Sequence, residues 1–147
     1  MKFMVMVRAT HETETETHPA GDDPEARATL VREMMSYNEA LTKAGVMKGG
    51  DGLQPSSKGA RVVFSGDDRT VVDGPFAETK ELIAGYWLWE CASLQEAIDW
   101  AKRCPNPTGS HSVLEIRPIY EAEDFGEDLA PEIREREAAM RAQMDAG

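Results

Sequence analysis

Lys2 to Arg8 is apolar at nearly every position, so both alternating faces of this segment carry hydrocarbon, which predicts a central strand covered on both sides. A polar stretch, Thr10 to Asp22, follows and reads as a loop. The rhythm then changes. Ala26, Leu30, Met34, Tyr37, Leu41 and Ala44 recur at spacings of three and four, the mark of one apolar stripe on a helix. Its ends are signalled too: Asp23 suits an N-cap, Pro24 the first helical position, and Gly45 the far end. Gly49-Gly50-Asp51-Gly52 reads as a turn leading into a short segment, Leu53 to Pro55. Ala60 to Ser65 and Thr70 to Asp73 form a predicted hairpin.

Ile83 to Cys91 is a strong strand whose alternation puts Trp87, Trp89 and Cys91 on one face and Tyr86, Leu88 and Glu90 on the other. Ser93 to Glu96 is a capping box opening a second helix, with Leu94, Ala97, Ile98 and Ala101 as its buried side and Pro105 as its stop. Ser112 to Ile119 is the last core strand. The expected fold class is therefore α+β: a ferredoxin-like βαββαβ plan with an extra hairpin strand over residues 1–120. Two helices cover one face of such a sheet, yet the other face is apolar as well. A second copy of the chain is the simplest cover, giving a homodimer. Residues 121–147 hold an acidic linker and a tail helix, Pro131 to Met144, with pairs Glu132–Arg136 and Glu137–Arg141 expected; it lies across its own domain or the partner.

Composition narrows the functions. A formal net charge of −11, with no basic cluster, argues against nucleic acid and anionic membranes. No apolar run approaches the roughly 20 residues of a membrane helix, and no leader signal is expected. Two cysteines, Cys91 and Cys104, make no disulfide framework and read as buried thiols of a cytoplasmic protein. No phosphate loop, catalytic triad order or nucleotide fingerprint is present.

The stretch Asp73-Gly74-Pro75-Phe76-Ala77-Glu78-Thr79-Lys80-Glu81, continuing through Gly85-Tyr86, resembles the signature of the DGPF group of the YCII-related family. The early strand, Ala44-Gly45-Val46 with Gly52 to Pro55, Glu96-Ala97-Ile98 with Trp100-Ala101, and Glu115 to Pro118 resemble the same family. The resemblance implies a dimeric α/β barrel of ferredoxin-like subunits. The wider family includes a dehydrochlorinase-type enzyme and proteins with a proposed His–Asp pair. None of the three histidines here sits where that pair would need it.

Candidate chemistry centres on few residues. Asp73 ends a strand before Gly-Pro and is either a base or acceptor facing the cleft, or a turn residue. Phe76 reads as a hydrophobic plug. Glu78, Lys80 and Glu81 are either an anion-holding cluster or a surface network. Glu115 and Arg117 share one face of the last strand with Tyr86 as neighbour; they serve a ligand or form a structural pair. Substrate contacts are thus expected from Lys80, Glu81, Tyr86, Glu115 and Arg117, with Asp73 catalytic. His11 to His18 offers imidazoles and carboxylates, but no helix signal or H-E-x-x-H spacing supports a metal site, and none is expected. His111 reads as a loop residue.

Two functions follow. The first is a cytoplasmic homodimer that binds or transforms a small aromatic or anionic molecule in the dimer cleft with no cofactor. By fold analogy this is lyase, isomerase or monooxygenase chemistry. The second, implied by the resemblance, is a regulatory protein linked to a sigma factor and contacting it through the tail.

Overall fold

A computed structural model describes residues 1–17, 23–107 and 111–147. Four antiparallel strands form the main sheet: β1 (Lys2–Arg8), β2 (Met47–Gly52), β5 (Ile83–Glu90) and β6 (Leu114–Pro118), in the order β2-β5-β1-β6. Between β2 and β5, a hairpin of β3 (Ala60–Ser65) and β4 (Asp68–Asp73) makes a separate two-stranded sheet. The helices are α1 (His11–Thr15), α2 (Pro24–Lys43), α3 (Leu94–Lys102) and α4 (Ala130–Ala146). With α2 and α3 as crossovers, the main sheet has the ferredoxin-like order.

The alternation predicted for β1 and β5 is what builds the core. Register pairs Phe3 with Trp89, Val5 with Trp87 and Val7 with Gly85, and Ile116 stands opposite Val5 on the other side. These residues face the helices, where Tyr37 and Leu41 of α2 and Ala97 of α3 complete a buried cluster with Val46 and Cys91. Trp87 stacks edge-on with Tyr37 at 6.0 Å. The Tyr37 hydroxyl donates to the Trp100 carbonyl at 2.6 Å, tying α2 to α3. The opposite sheet face carries Met4, Met6, Tyr86, Leu88, Glu115 and Arg117, and neither α2 nor α3 lies on it.

Cap chemistry places α2 as expected: Asp23 Oδ1 accepts from the Glu25 N–H at 3.0 Å, Pro24 opens the helix, and Gly45 follows it at φ 74°. Ser93 Oγ accepts from the Glu96 N–H at 3.1 Å to start α3.

Several expectations are corrected. The glycine-rich stretch is strand β2 rather than a turn, because its backbone lies close against β5: a Cβ on Gly50 would stand 2.7 Å from the Tyr86 carbonyl oxygen. The hairpin is consequently no extra strand of the main sheet; every residue of it is exposed. The supposed loop after Thr10 contains α1, closed by reciprocal bonds in which Thr13 N–H donates to Thr10 Oγ1 and Thr10 N–H to Thr13 Oγ1. Leu94, expected to be buried, is 46% exposed because it opens α3 at its solvent side. Cys104 is only half-buried, while Cys91 is buried. The last strand is shorter than read, Leu114–Pro118, though the Ile119 N–H still donates to the Lys2 carbonyl.

The tail helix α4 packs against the 3-10 turn Ala122–Phe125 and contributes one buried residue, Ala130. Arg134 anchors it by donating from Nε to Glu123 Oε1 at 2.8 Å. Glu132 and Arg136 pair at 3.7 Å, whereas Glu137 and Arg141 form no ion pair among the described residues. No helix among the described residues is long and apolar enough to cross a membrane.

Candidate functional site

The stripe of α2 predicts one continuous buried face, but the helix is close to the sheet only in its second half. Tyr37 and Leu41 are buried; Ala26, Leu30 and Met34, on the same stripe, are not. The space left under the first half is a cleft of two adjoining lobes. The inner lobe, about 500 Å³, is lined by Val7, Met34, Asn38, Met47, Ala84 and the Trp87 indole, with Gly50 and Gly85 at its floor. The outer lobe, about 610 Å³, runs between α1 and α2 past Leu30, Val31, Leu53 and Pro55. Thr13, Met34, Ala84 and Pro107 border both.

Glycine makes the floor possible. At Gly50 a side chain would collide with Tyr86 and Trp87, and at Gly85 a Cβ would meet the Asp51 carbonyl at 3.2 Å. The polar groups of the lobes are specific. Trp87 Nε1 donates to Asn38 Oδ1 at 2.9 Å. The Thr13 hydroxyl is occupied by Thr10; on the far side of the sheet the Tyr86 hydroxyl donates to Asp51 Oδ2 at 3.3 Å. Glu12, Glu16 and Arg27 bring the charge at the rim of the outer lobe. Hydrogen bonds from its own backbone N–H and from the Thr10 hydroxyl hold the Glu12 carboxyl below the usual carboxylate range.

Of the residues singled out for ligand contact, Tyr86 alone meets this cleft, through its backbone, while its side chain lies on the opposite sheet face. Glu115 and Arg117 lie on the opposite sheet face and do not pair with each other; Glu115 accepts from Arg8 Nη1 at 2.8 Å, and Arg117 forms no ion pair among the described residues. Asp73, at the end of β4, is exposed, and its carboxylate has no hydrogen bond or ion pair among those residues. Lys80 and Glu81 sit in the 3-10 turn Thr79–Glu81, both exposed, with side chains that make no hydrogen bond or ion pair among those residues. Tyr86, Glu115 and Arg117 thus share the sheet face away from the helices, as expected, whereas Asp73, Lys80 and Glu81 lie on other elements.

What the rest of the Asp73–Phe76 turn does is clear. A Cβ on Gly74 would lie 1.7 Å from the Ser56 carbonyl oxygen, and the Phe76 N–H donates to Ser56 Oγ at 3.1 Å. The Arg61 guanidinium lies 3.9 Å over the half-buried Phe76 ring. Ser56 is in turn held by Glu14, whose carboxylate accepts from both its N–H and its hydroxyl. His11 opens α1 and is exposed, His111 is exposed, and His18 lies outside the described residues. Among those residues no three His, Cys, Asp or Glu side chains gather as a metal ligand set.

Asn38, Glu14 and Ser56 were not singled out as site residues from sequence. Trp87 was visible as an inward aromatic. Asn38 carried one available signal, a polar residue next to Tyr37 on the buried side of a helix.

An antiparallel sheet in ferredoxin-like order, backed by two helices and opened beneath one of them, defines the class of domain. The chain belongs to the YCII-related domain family, whose model matches residues 1–123. An uncharacterised protein of Rhizobium meliloti (strain 1021) is 36% identical over 90 residues, covering 61% of this chain and 73% of its own. Among solved structures, 5-chloro-2-hydroxyhydroquinone dehydrochlorinase (TftG) of Burkholderia phenoliruptrix AC1100, in complex with 2,5-dihydroxybenzoquinone, aligns with a TM-score of 0.45 and 11% identity, covering 82% of this chain and 95% of that one.

Proposed function

We propose that the chain works as a homodimer and takes a small, largely apolar molecule into the cleft under α2. Within the family we place it in the DGPF group, on the motif at 73–81. The observation that carries the binding reading is the inner lobe itself: about 500 Å³, walled by Trp87, Met34, Val7 and Ala84, with one amide among them. Pockets of that size and lining suit compounds of one to three rings.

The dimer is supported by the sheet face away from the helices. Met4, Met6 and Leu88 form a strip of apolar side chains there, flanked by the Arg8–Glu115 pair and by Arg117. Leaving such a strip in water is unfavourable, and a two-fold axis lets it cover itself. In that arrangement Tyr86, Glu115 and Arg117 serve the interface, while the ligand sits on the helix side.

Native mass spectrometry of the purified protein tests both halves. The expected species is a dimer, reduced to monomer by Met6→Lys with Leu88→Lys, and it retains small molecules that Ala84→Phe, which fills the lobe, does not. A wild-type monomer at micromolar concentration rejects the interface. A dimer that takes up no member of an aromatic fragment set rejects the binding reading.

A further inference from the structure

The polar groups around the inner lobe are arranged to favour one kind of ligand. An indole nitrogen only donates, so the bond from Trp87 Nε1 to Asn38 Oδ1 dictates which way the Asn38 amide is turned. Its nitrogen, Nδ2, then carries two hydrogens that have no acceptor among the described residues, on a half-buried side chain lining the lobe. The neighbouring Thr13 hydroxyl is already committed, donating to the Thr10 carbonyl and accepting from the Thr10 N–H. A half-buried amide donor beside apolar walls gains from meeting an oxygen acceptor.

No lysine, arginine or histidine among the described residues lines the inner lobe; Arg27 borders only the outer lobe, beside Glu12 and Glu16, and Lys58 is 3.5 Å from Glu16. A carboxylate entering the inner lobe would lose water without gaining a cation.

We infer that the lobe selects uncharged aromatic compounds bearing a carbonyl or hydroxyl oxygen, which accepts from Asn38 Nδ2, and that the lack of a cation in its lining rejects aromatic carboxylates. This rests on the binding reading above and names its ligand class; it departs from the anionic ligand considered from sequence.

Three probes of nearly equal size separate the contributions: 2-acetylnaphthalene, 2-ethylnaphthalene and 2-naphthoate. They are titrated into the intact ¹⁵N-labelled protein while the Trp87 indole and Asn38 amide resonances are followed. The acetyl compound is expected to bind about 10-fold more tightly than the ethyl compound, the value of one hydrogen bond to a partly buried donor. The naphthoate is expected to bind at least about 10-fold more weakly than the acetyl compound, because its carboxylate is desolvated with no cation to meet. Asn38→Asp keeps an acceptor for Trp87 but loses the donor, and it should erase the difference between the acetyl and ethyl probes. If wild-type protein binds the ethyl probe as tightly as the acetyl one, or binds the naphthoate best, with Trp87 still shifting, the cleft stands and the selection is wrong. If no probe moves Trp87, the binding reading falls with it. The wild-type comparison holds whether or not the variant folds.

Discussion

Glu14 holds Ser56 across 42 positions of sequence: its Oε1 accepts from the Ser56 N–H at 3.1 Å and its Oε2 from the Ser56 hydroxyl. The same Ser56 Oγ accepts from the Phe76 N–H, so one carboxylate ties α1 to the turn that ends the hairpin. Charged hydrogen bonds to partly buried groups are worth about 1.5–3 kcal/mol. Glu14→Ala is expected to lower the unfolding free energy by about 2 kcal/mol in urea titrations. Glu16→Ala, whose partner Lys58 is an exposed lysine at 3.5 Å, should stay within about 0.5 kcal/mol of wild type. Equal effects of the two would contradict the clamp.

The Asp73–Phe76 turn divides into a packed part and an exposed part. At Gly74 an added Cβ meets the Ser56 carbonyl oxygen at 1.7 Å, and backbone does not yield cheaply. Gly74→Ala should therefore cost roughly 3 kcal/mol or more, among the larger single-residue effects. Asp73→Asn, at an exposed carboxylate without partners among the described residues, should change stability by less than about 0.5 kcal/mol. The same variant reads out any chemical role: lost ligand uptake with an unchanged melting curve places Asp73 at the site, and unchanged uptake makes it a turn residue.

Alkaline pH should loosen the fold through groups buried in their neutral form. Burial pushes the Cys104 thiol from its ordinary 9.0 to about 11, and burial likewise raises the Tyr37 hydroxyl. The unfolded chain releases the Cys104 proton near 9 while the folded chain holds it until about 11. Stability from this group is complete below pH 9 and is lost as pH rises through 11. Thermal melts from pH 8 upward are expected to decline across this window, with a shallower decline in Cys104→Ala. Parallel slopes for the two proteins would show that Cys104 plays no part.

Removing the tail should matter little to the rest of the fold. Helix α4 leans on the turn Ala122–Phe125 through Ala130 and the exposed Arg134–Glu123 pair, and Met140 and Met144 are exposed. A chain ending at Gly126 is expected to melt within about 3 °C of the full chain, a shift equivalent to under about 1 kcal/mol for this size. A larger drop would mean that α4 packs on more than the turn, as on a second copy.

Side-chain pattern alone determined α2, with Asp23, Pro24 and Gly45 at its ends, and the facing of β1 and β5, because caps and alternation are properties of neighbouring residues. It also separated Trp87 and Trp89 from Tyr86 and Leu88. Strand β2 was not legible, since Gly49 and Gly50 have no side chains to alternate; pairing with β5 makes it a strand. Helix α1 was hidden in a threonine-rich run of poor helix formers and depends on the Thr10–Thr13 cap and the Glu14–Ser56 bond. The candidate site lay furthest from view. Periodicity says that Leu30, Met34, Tyr37 and Leu41 share a face, but not how near that face comes to the sheet. That distance is decided by bulk supplied from distant segments, so only the tertiary structure opens the space between Met34 and Trp87 and sets Asn38 beside it.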